Sequence, residues 1–236
     1  MINLKNIKPN IRYLEDVKEV IYDKKWLETA SGNLELYYVY RDLAENENDK
    51  IKIIKKGLRY DNTIMSPLML GKEFNKTQGH SHPFVSNTNI TYAEIYEVLE
   101  GQAIFLLQKS ENNKVKDIFG VQAKKGDKVI IPPNHEHLII NPGNKDLRTC
   151  NWVYREFGAN IYEPFQNKHG FSYYALKNNL IKWIKNKNYK SIPSLRFEKP
   201  NNFYNFDIPK DKPVYQLVDD LEKLDFLKNP QKYEWK

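Results

Sequence analysis

Cysteine is nearly absent from this chain: Cys150 is the only one in 236 residues. A lone thiol excludes a disulfide framework and any structural zinc site built from several thiolates. Long apolar runs are also missing. None approaches the roughly 20 residues that a membrane span requires, and the start, Met1 to Pro9, lacks the apolar core of a signal peptide. The expectation is a soluble, cytoplasmic protein with no membrane partner. What is abundant excludes the other extreme. Hydrophobic residues make up 40% of the chain and aromatics 13%, so global disorder is not expected. The length suits one domain with decorations and can bury a sizeable core.

Acidic residues are in deficit, 30 against 37 Lys+Arg, for a formal charge of +7. The excess is local. From Lys168 to Lys236 there are 14 basic and 8 acidic residues. The densest stretch holds Lys177, Lys182, Lys185, Lys187 and Lys190, with no acid between them. Interleaved Tyr173, Tyr174, Trp183 and Tyr189 could make this a stripe for single-stranded nucleic acid. A lysine- and asparagine-rich bias on solvated strands and loops explains it more simply, and nucleic acid is not an expected partner.

The chain has no internal repeat and no long flexible linker. Residues 1–59 read as an N-terminal arm with strands packing on the central β segment. Tyr13 to Trp26 suits a short helix or arm, Leu34 to Tyr40 alternates as a strand, Asn46 to Asp49 reads as a polar turn, and Ile51 to Ile54 is too short to assign. Residues 60–175 change texture. Short runs rich in branched and aromatic residues recur at Thr63–Met65, Ile95–Leu99, Ala103–Gln108, Asp117–Val121, Lys128–Ile131, Leu138–Ile140 and Leu147–Val153, with Gly, Pro and Asn between them. Several short strands with turn signals predict an all-β sandwich or barrel. Asn112-Asn113 marks a hairpin tip, since Asn tolerates left-handed backbone angles. Gly126-Asp127 and Pro142-Gly143 mark two further turns. Residues 176–236 read as the end of one more hairpin (Tyr173–Leu176 with Leu180–Ile184) and a basic extension. Leu217, Leu221 and Leu224, with Val218 and Leu227, predict a short helix there. The whole is expected to form one compact domain.

Four of the five histidines form two pairs, His80-Ser81-His82 and His135-Glu136-His137. On a strand, residues i and i+2 share a face, so paired imidazoles project side by side. Neutral imidazoles so placed can ligate one metal ion. Such a site also needs a carboxylate. The strand Glu94-Ile95-Tyr96-Glu97-Val98-Leu99 presents a glutamate on each face, so alternation leaves both Glu94 and Glu97 open.

The pattern His80-x-His82…Glu94-x6-Gly101 resembles the first cupin motif. Gly126-x5-Pro132-x-Asn134-x2-His137-x3-Asn141 resembles the second, with Asn134 where a turn glycine is usual. The resemblance implies an all-β cupin jelly-roll β-barrel and a ligand set of His80, His82, Glu94 and His137. It leaves His135 as a bystander at the strand entry, and His169 is expected to be ordinary. Eleven residues separate His82 from Glu94 where cupins have three or four, so Pro83 to Tyr92 must form a loop near the metal. The implied cofactor is one divalent ion. Fe, Mn, Ni, Co and Zn all suit such ligands.

A second resemblance is narrower. Asn62-Thr63-Ile64-Met65, Gly71-Lys72-Glu73-Phe74 and Thr77-Gln78-Gly79-His80-Ser81-His82 resemble the cupin-type phosphoglucose isomerases of archaea and some bacteria. Similarity extends from Ile11-Arg12-Tyr13-Leu14-Glu15-Asp16 to Tyr162, over roughly residues 10 to 175. It implies interconversion of glucose 6-phosphate and fructose 6-phosphate, in glycolysis and gluconeogenesis, with the sugar phosphate as small-molecule partner and a homodimer as assembly. Thr63, Thr77 and Gly79 match residues that hold the substrate phosphate. Tyr96, Tyr154 and Tyr162 match tyrosines of the sugar pocket, with Tyr96 and Tyr154 beside Glu94 in the catalytic set. Glu94 is the expected base, and a hydride shift between the two carbons is the competing mechanism. An isomerase or epimerase of another sugar phosphate, and a non-catalytic sugar-binding cupin, are the alternatives.

Overall fold

The computed structural model describes residues 2–235. Fourteen strands succeed one another: β1 Asn10–Tyr13, β2 Glu35–Tyr40, β3 Leu58–Met65, β4 Met69–Leu70, β5 Glu73–Phe74, β6 Glu94–Glu100, β7 Gln102–Glu111, β8 Lys114–Lys124, β9 Lys128–Ile131, β10 Glu136–Ile140, β11 Leu147–Tyr154, β12 Tyr173–Leu176, β13 Lys182–Lys185 and β14 Arg196–Glu198. They form a six-stranded sheet ordered β1-β2-β3-β11-β6-β9 and two four-stranded sheets, β10-β7-β8-β14 and β13-β12-β5-β4. The all-β expectation holds. The sheets are not zipped into a closed ring; they face one another as a jelly roll whose edges stay separate.

Strand alternation explains the two cores. On β6, Tyr96 and Val98 point inward, where they meet Phe105 and Leu107 of β7 and Leu138 of β10 in the larger core. The opposite face of β6 and of its neighbour β11 carries Ile95, Cys150 and Trp152 into a second core. That second face would be solvated in a bare jelly roll. Here the C-terminal segment covers it with Val214, Leu217, Val218, Phe226 and Leu227. Trp152 Nε1 donates to Val214 O at 2.9 Å, and Glu97 accepts from Val214 N. Glu97 is therefore committed to the outer face and to the extension.

Turn chemistry reflects the residues. Asn112 and Asn113 take φ of 49° and 65° between β7 and β8, as a two-residue hairpin tip does. Gly101, between β6 and β7, has φ +78°, and a Cβ there would lie 2.6 Å from Asp146 O. Asn134 takes φ 60° where a turn glycine is usual.

Three sequence expectations differ from the structure. Asn46 does not open a plain turn: its side chain accepts from Asp49 N and caps a helix over Glu47–Lys55, which absorbs Ile51 to Ile54. Thr63–Met65 is only the end of an eight-residue strand, Leu58–Met65. The C-terminal leucines lie not on one α-helix but on 3₁₀ turns over Val214–Asp219 and Leu221–Leu224, succeeded by a short helix at Asp225–Lys228. The apolar residues still face one way, so the segment packs as a broken helix. The aromatics of the basic stripe do not form a stacking platform, because Tyr173, Tyr174 and Tyr189 are buried. Among the described residues no helix is long and apolar enough to cross a membrane.

Candidate metal centre

β6 brings Glu94 to the inner face at the end of the jelly roll, and β10 brings His137. The segment Thr77 to His82 lies alongside β10. Thr77 N donates to Ile139 O and His80 N to His137 O, so the chain bulges over Gln78 and Gly79. His80, His82, Glu94 and His137 thereby converge, with one potential ligand atom from each lying within 4.8 Å of all the others. His82 Nε2 and His137 Nε2 stand 3.2 and 3.3 Å from the same Glu94 oxygen, Oε2.

The surroundings fix the orientation of these groups. His82 Nδ1 lies 2.9 Å from Tyr92 O. A carbonyl can only accept, so Nδ1 carries a proton and Nε2 is the nitrogen left facing the cluster. The Tyr92 carbonyl belongs to the long insertion after His82. That insertion is a small hairpin, with Phe84 bridged to Thr91 and Tyr92 N donating to Pro83 O. Thr91 Oγ1 in turn accepts from Asn134 N at 2.6 Å. Glu94 Oε1 accepts from Asn151 Nδ2 at 2.7 Å.

Burial sets the charges. It pushes the His80 imidazole well below its ordinary value, helped by His137 and His82, and it lowers His137 as well. Burial alone would raise the Glu94 carboxyl; the His137 and His82 imidazoles outweigh it and hold Glu94 below the usual range. The cluster thus sets a carboxylate beside His80 and His137 imidazoles that burial keeps neutral. Both ring nitrogens of His137 are buried without a well-aligned hydrogen bond, Nε2 standing 3.3 Å from Glu94 Oε2, a costly state for a polar group. A divalent ion at the cluster would take the nitrogen that faces it, Nε2, and three imidazoles with one carboxylate suit that class of ion.

The cavity around the cluster is lined by Thr63, Thr77, Tyr96 and Tyr162. Burial, reinforced by Glu94, raises the Tyr96 phenol well above its ordinary value, so it stays protonated. Thr77 Oγ1 accepts from Ile139 N at 2.9 Å. Packing accounts for Gly79: a Cβ would lie 2.5 Å from the Phe171 ring. Tyr154 is not brought to the cavity. On β11, Asn151 and Val153 face inward, while Cys150, Trp152 and Tyr154 face out. The Tyr154 hydroxyl donates to Glu156 at 3.2 Å, and its ring lies 5.1 Å from Tyr92. His135 also points away, with Nδ1 3.0 Å from Pro133 O and its ring against Phe119. His169 is half exposed, 3.9 Å from Glu19.

Sequence reading missed Asn151 and the charged lining of the cavity, Arg12, Arg41, Arg59 and Asp61. The available signal was alternation: counting back from Thr63 places Asp61 and Arg59 on its face.

The sequence family described as glucose-6-phosphate isomerase (GPI) matches residues 11–192. The chain is 30% identical to the glucose-6-phosphate isomerase of Thermococcus litoralis over 145 residues, which is 60% of this chain and 67% of that protein. It is 27% identical to the enzyme of that name from Pyrococcus abyssi over 184 residues, 77% of this chain and 88% of that protein. Among solved structures, an oxalate oxidase in complex with glycolate aligns at TM-score 0.39 and 16% identity, over 55% of this chain and 56% of that one.

Proposed function

The chain belongs to the glucose-6-phosphate isomerase (GPI) family, and on that ground we propose that it interconverts glucose 6-phosphate and fructose 6-phosphate at the cluster of His80, His82, Glu94 and His137. One observation carries the reading. Three imidazoles and a carboxylate meet within 4.8 Å, in a cavity that also holds hydroxyls suited to a phosphorylated sugar.

The reaction moves one hydrogen between C2 and C1 and one proton between O2 and O1. A divalent ion held by the four side chains would supply Lewis-acid polarisation of the sugar oxygens. The chain's own groups do the rest. Glu94 is held ionised, the form a base needs, and it takes the proton from one carbon and returns it to the other. Asn151 keeps the carboxylate in place. Tyr96 stays protonated and offers a hydroxyl to the sugar. Thr63 and Thr77, with the Gly79 backbone, bind the phosphate, and Tyr162 closes the sugar pocket beside His80, its ring 5.7 Å from that imidazole. Tyr154 acts from outside this cavity, through its packing on Tyr92 at the base of the insertion. The same reading makes the protein a homodimeric cytoplasmic enzyme of glycolysis and gluconeogenesis.

The test is to incubate protein loaded separately with Fe(II), Mn(II) and Ni(II) with fructose 6-phosphate and to measure glucose 6-phosphate. A panel of other sugar phosphates run in parallel sets the specificity. No product under any metal would sink the proposal, and turnover of a different sugar phosphate alone would move it to that substrate.

A further inference from the structure

Three arginines line the cavity, and two of them already have a carboxylate. Arg59 Nε lies 2.9 and 3.1 Å from the two Asp61 oxygens, and Arg41 reaches the same group at 3.3 Å. Asp61 is itself buried. Arg12 is different. Among the described residues it has no carboxylate partner, and its guanidinium lies 6.0 Å from the Tyr162 ring centroid.

A half-buried guanidinium with no counter-charge is costly unless a ligand brings one. The other polar groups of this cavity suit an anion. The Thr77 oxygen already accepts from Ile139 N, so its own proton is free to be given outward. Thr63 lines the same cavity. Hydroxyls orient a phosphate but do not balance its charge. A guanidinium does both, with donors in a fork that fits two phosphate oxygens.

We infer that Arg12 supplies the positive charge that binds the substrate phosphate and so selects phosphorylated over neutral sugars. For the identity of the sugar this rests on the isomerase reading above; for the anion it does not. Arg12 lies outside the strands that hold the histidines. It sits on the edge strand β1, opposite Tyr37 of β2. The arm beyond β1 is hydrogen-bonded to a buried ion pair of the body, Glu73 with Lys76 at 2.5 Å. Tyr22 N donates to Glu73 at 3.0 Å, and Lys76 Nζ donates to Val20 O at 2.8 Å. The N-terminal arm is thereby part of the binding site.

The test compares metal-loaded wild type with R12Q and R12K, titrating each with fructose 6-phosphate and with inorganic phosphate by calorimetry, alongside isomerase kinetics. Loss of a charge-assisted contact predicts binding about ten- to a hundredfold weaker in R12Q for both ligands. KM should rise by a similar factor, with a smaller change in kcat. Should R12Q not fold, R12K carries the test: a point charge cannot reproduce the fork, so several-fold weaker binding is expected. Unchanged binding in a folded variant overturns the inference even if the enzyme is an isomerase. Arg12-dependent phosphate binding in a protein that isomerises no sugar phosphate would instead overturn the isomerase reading and leave this inference standing.

Discussion

Asn151 donates a 2.7 Å hydrogen bond to one oxygen of Glu94, while the other oxygen faces His82 and His137. The two residues come from neighbouring strands, β11 and β6, which pair in a register that sets Val153 opposite Glu94 and Asn151 opposite Tyr96. The amide engages Oε1 and leaves Oε2 for the cluster. Outer partners of this kind tune affinity, and Asn151→Leu should weaken divalent-metal binding about 10–100-fold. Competition against a coloured chelator measures it. An unchanged affinity would show that strand geometry alone holds Glu94.

Acid should destabilise the metal-free protein. Burial holds His80 well below, and His137 below, the ordinary 6.5, whereas the unfolded chain protonates both near that value. The unfolded state then binds more protons, so stability falls as pH drops through the histidine range. Glu94 acts in the same direction further down. Burial would raise its carboxyl, but His137 and His82 hold it below its ordinary value, so its contribution is lost as pH falls through the carboxylate range. In the presence of chelator the melting temperature should drop from about pH 7 to about pH 5. The drop should be smaller in His80→Gln. A flat profile would contradict the assignment of neutral, buried imidazoles.

Lys76→Met should destabilise the fold by about 3–5 kcal/mol, because it strands a buried Glu73 carboxylate without its partner. The paired change Glu73→Gln with Lys76→Met removes both charges and should restore much of the loss. Denaturant melts of the two variants separate a buried ion pair from simple loss of packing. Equal losses in both would count against the pair.

Gly79→Ala should cost about 1–3 kcal/mol through overpacking, because its Cβ would lie 2.5 Å from the Phe171 ring. Adding Phe171→Leu should recover part of that stability. A stable Gly79→Ala would mean that Phe171 moves freely, contrary to its burial in the larger core.

The legible parts of the fold share a physical cause. Branched and aromatic runs mark the strands because their inner faces are dry, and Asn112-Asn113 marks a hairpin because few residues accept its backbone angles. Leu58–Met65 reads short in the sequence because Arg59, Asp61 and Asn62 look like a loop. Arg59 and Asp61 are polar because their face of that strand lines the cavity, where they satisfy each other. The C-terminal leucines announce an apolar face but not its breaks.

In the site, motif spacing named His80, His82, Glu94 and His137, four side chains that the structure brings together. Alternation alone does not choose Glu94 over Glu97; the structure gives the reason for the choice, since Glu97 faces the C-terminal extension and accepts from Val214 N. Arg12 and Asn151 stay hidden in the sequence because they reach the cavity from strands far apart along the chain. Tyr154 shows the opposite failure. Alternation from Trp152 already places it on the outer face.

The most direct measurement is the conversion of fructose 6-phosphate to glucose 6-phosphate by the purified protein, before EDTA, after it, and after a divalent ion is restored, with Glu94→Ala assayed in parallel. The account predicts activity that EDTA abolishes and the ion returns, and none in Glu94→Ala. Full activity after complete removal of metal, or undiminished turnover by Glu94→Ala, would contradict it.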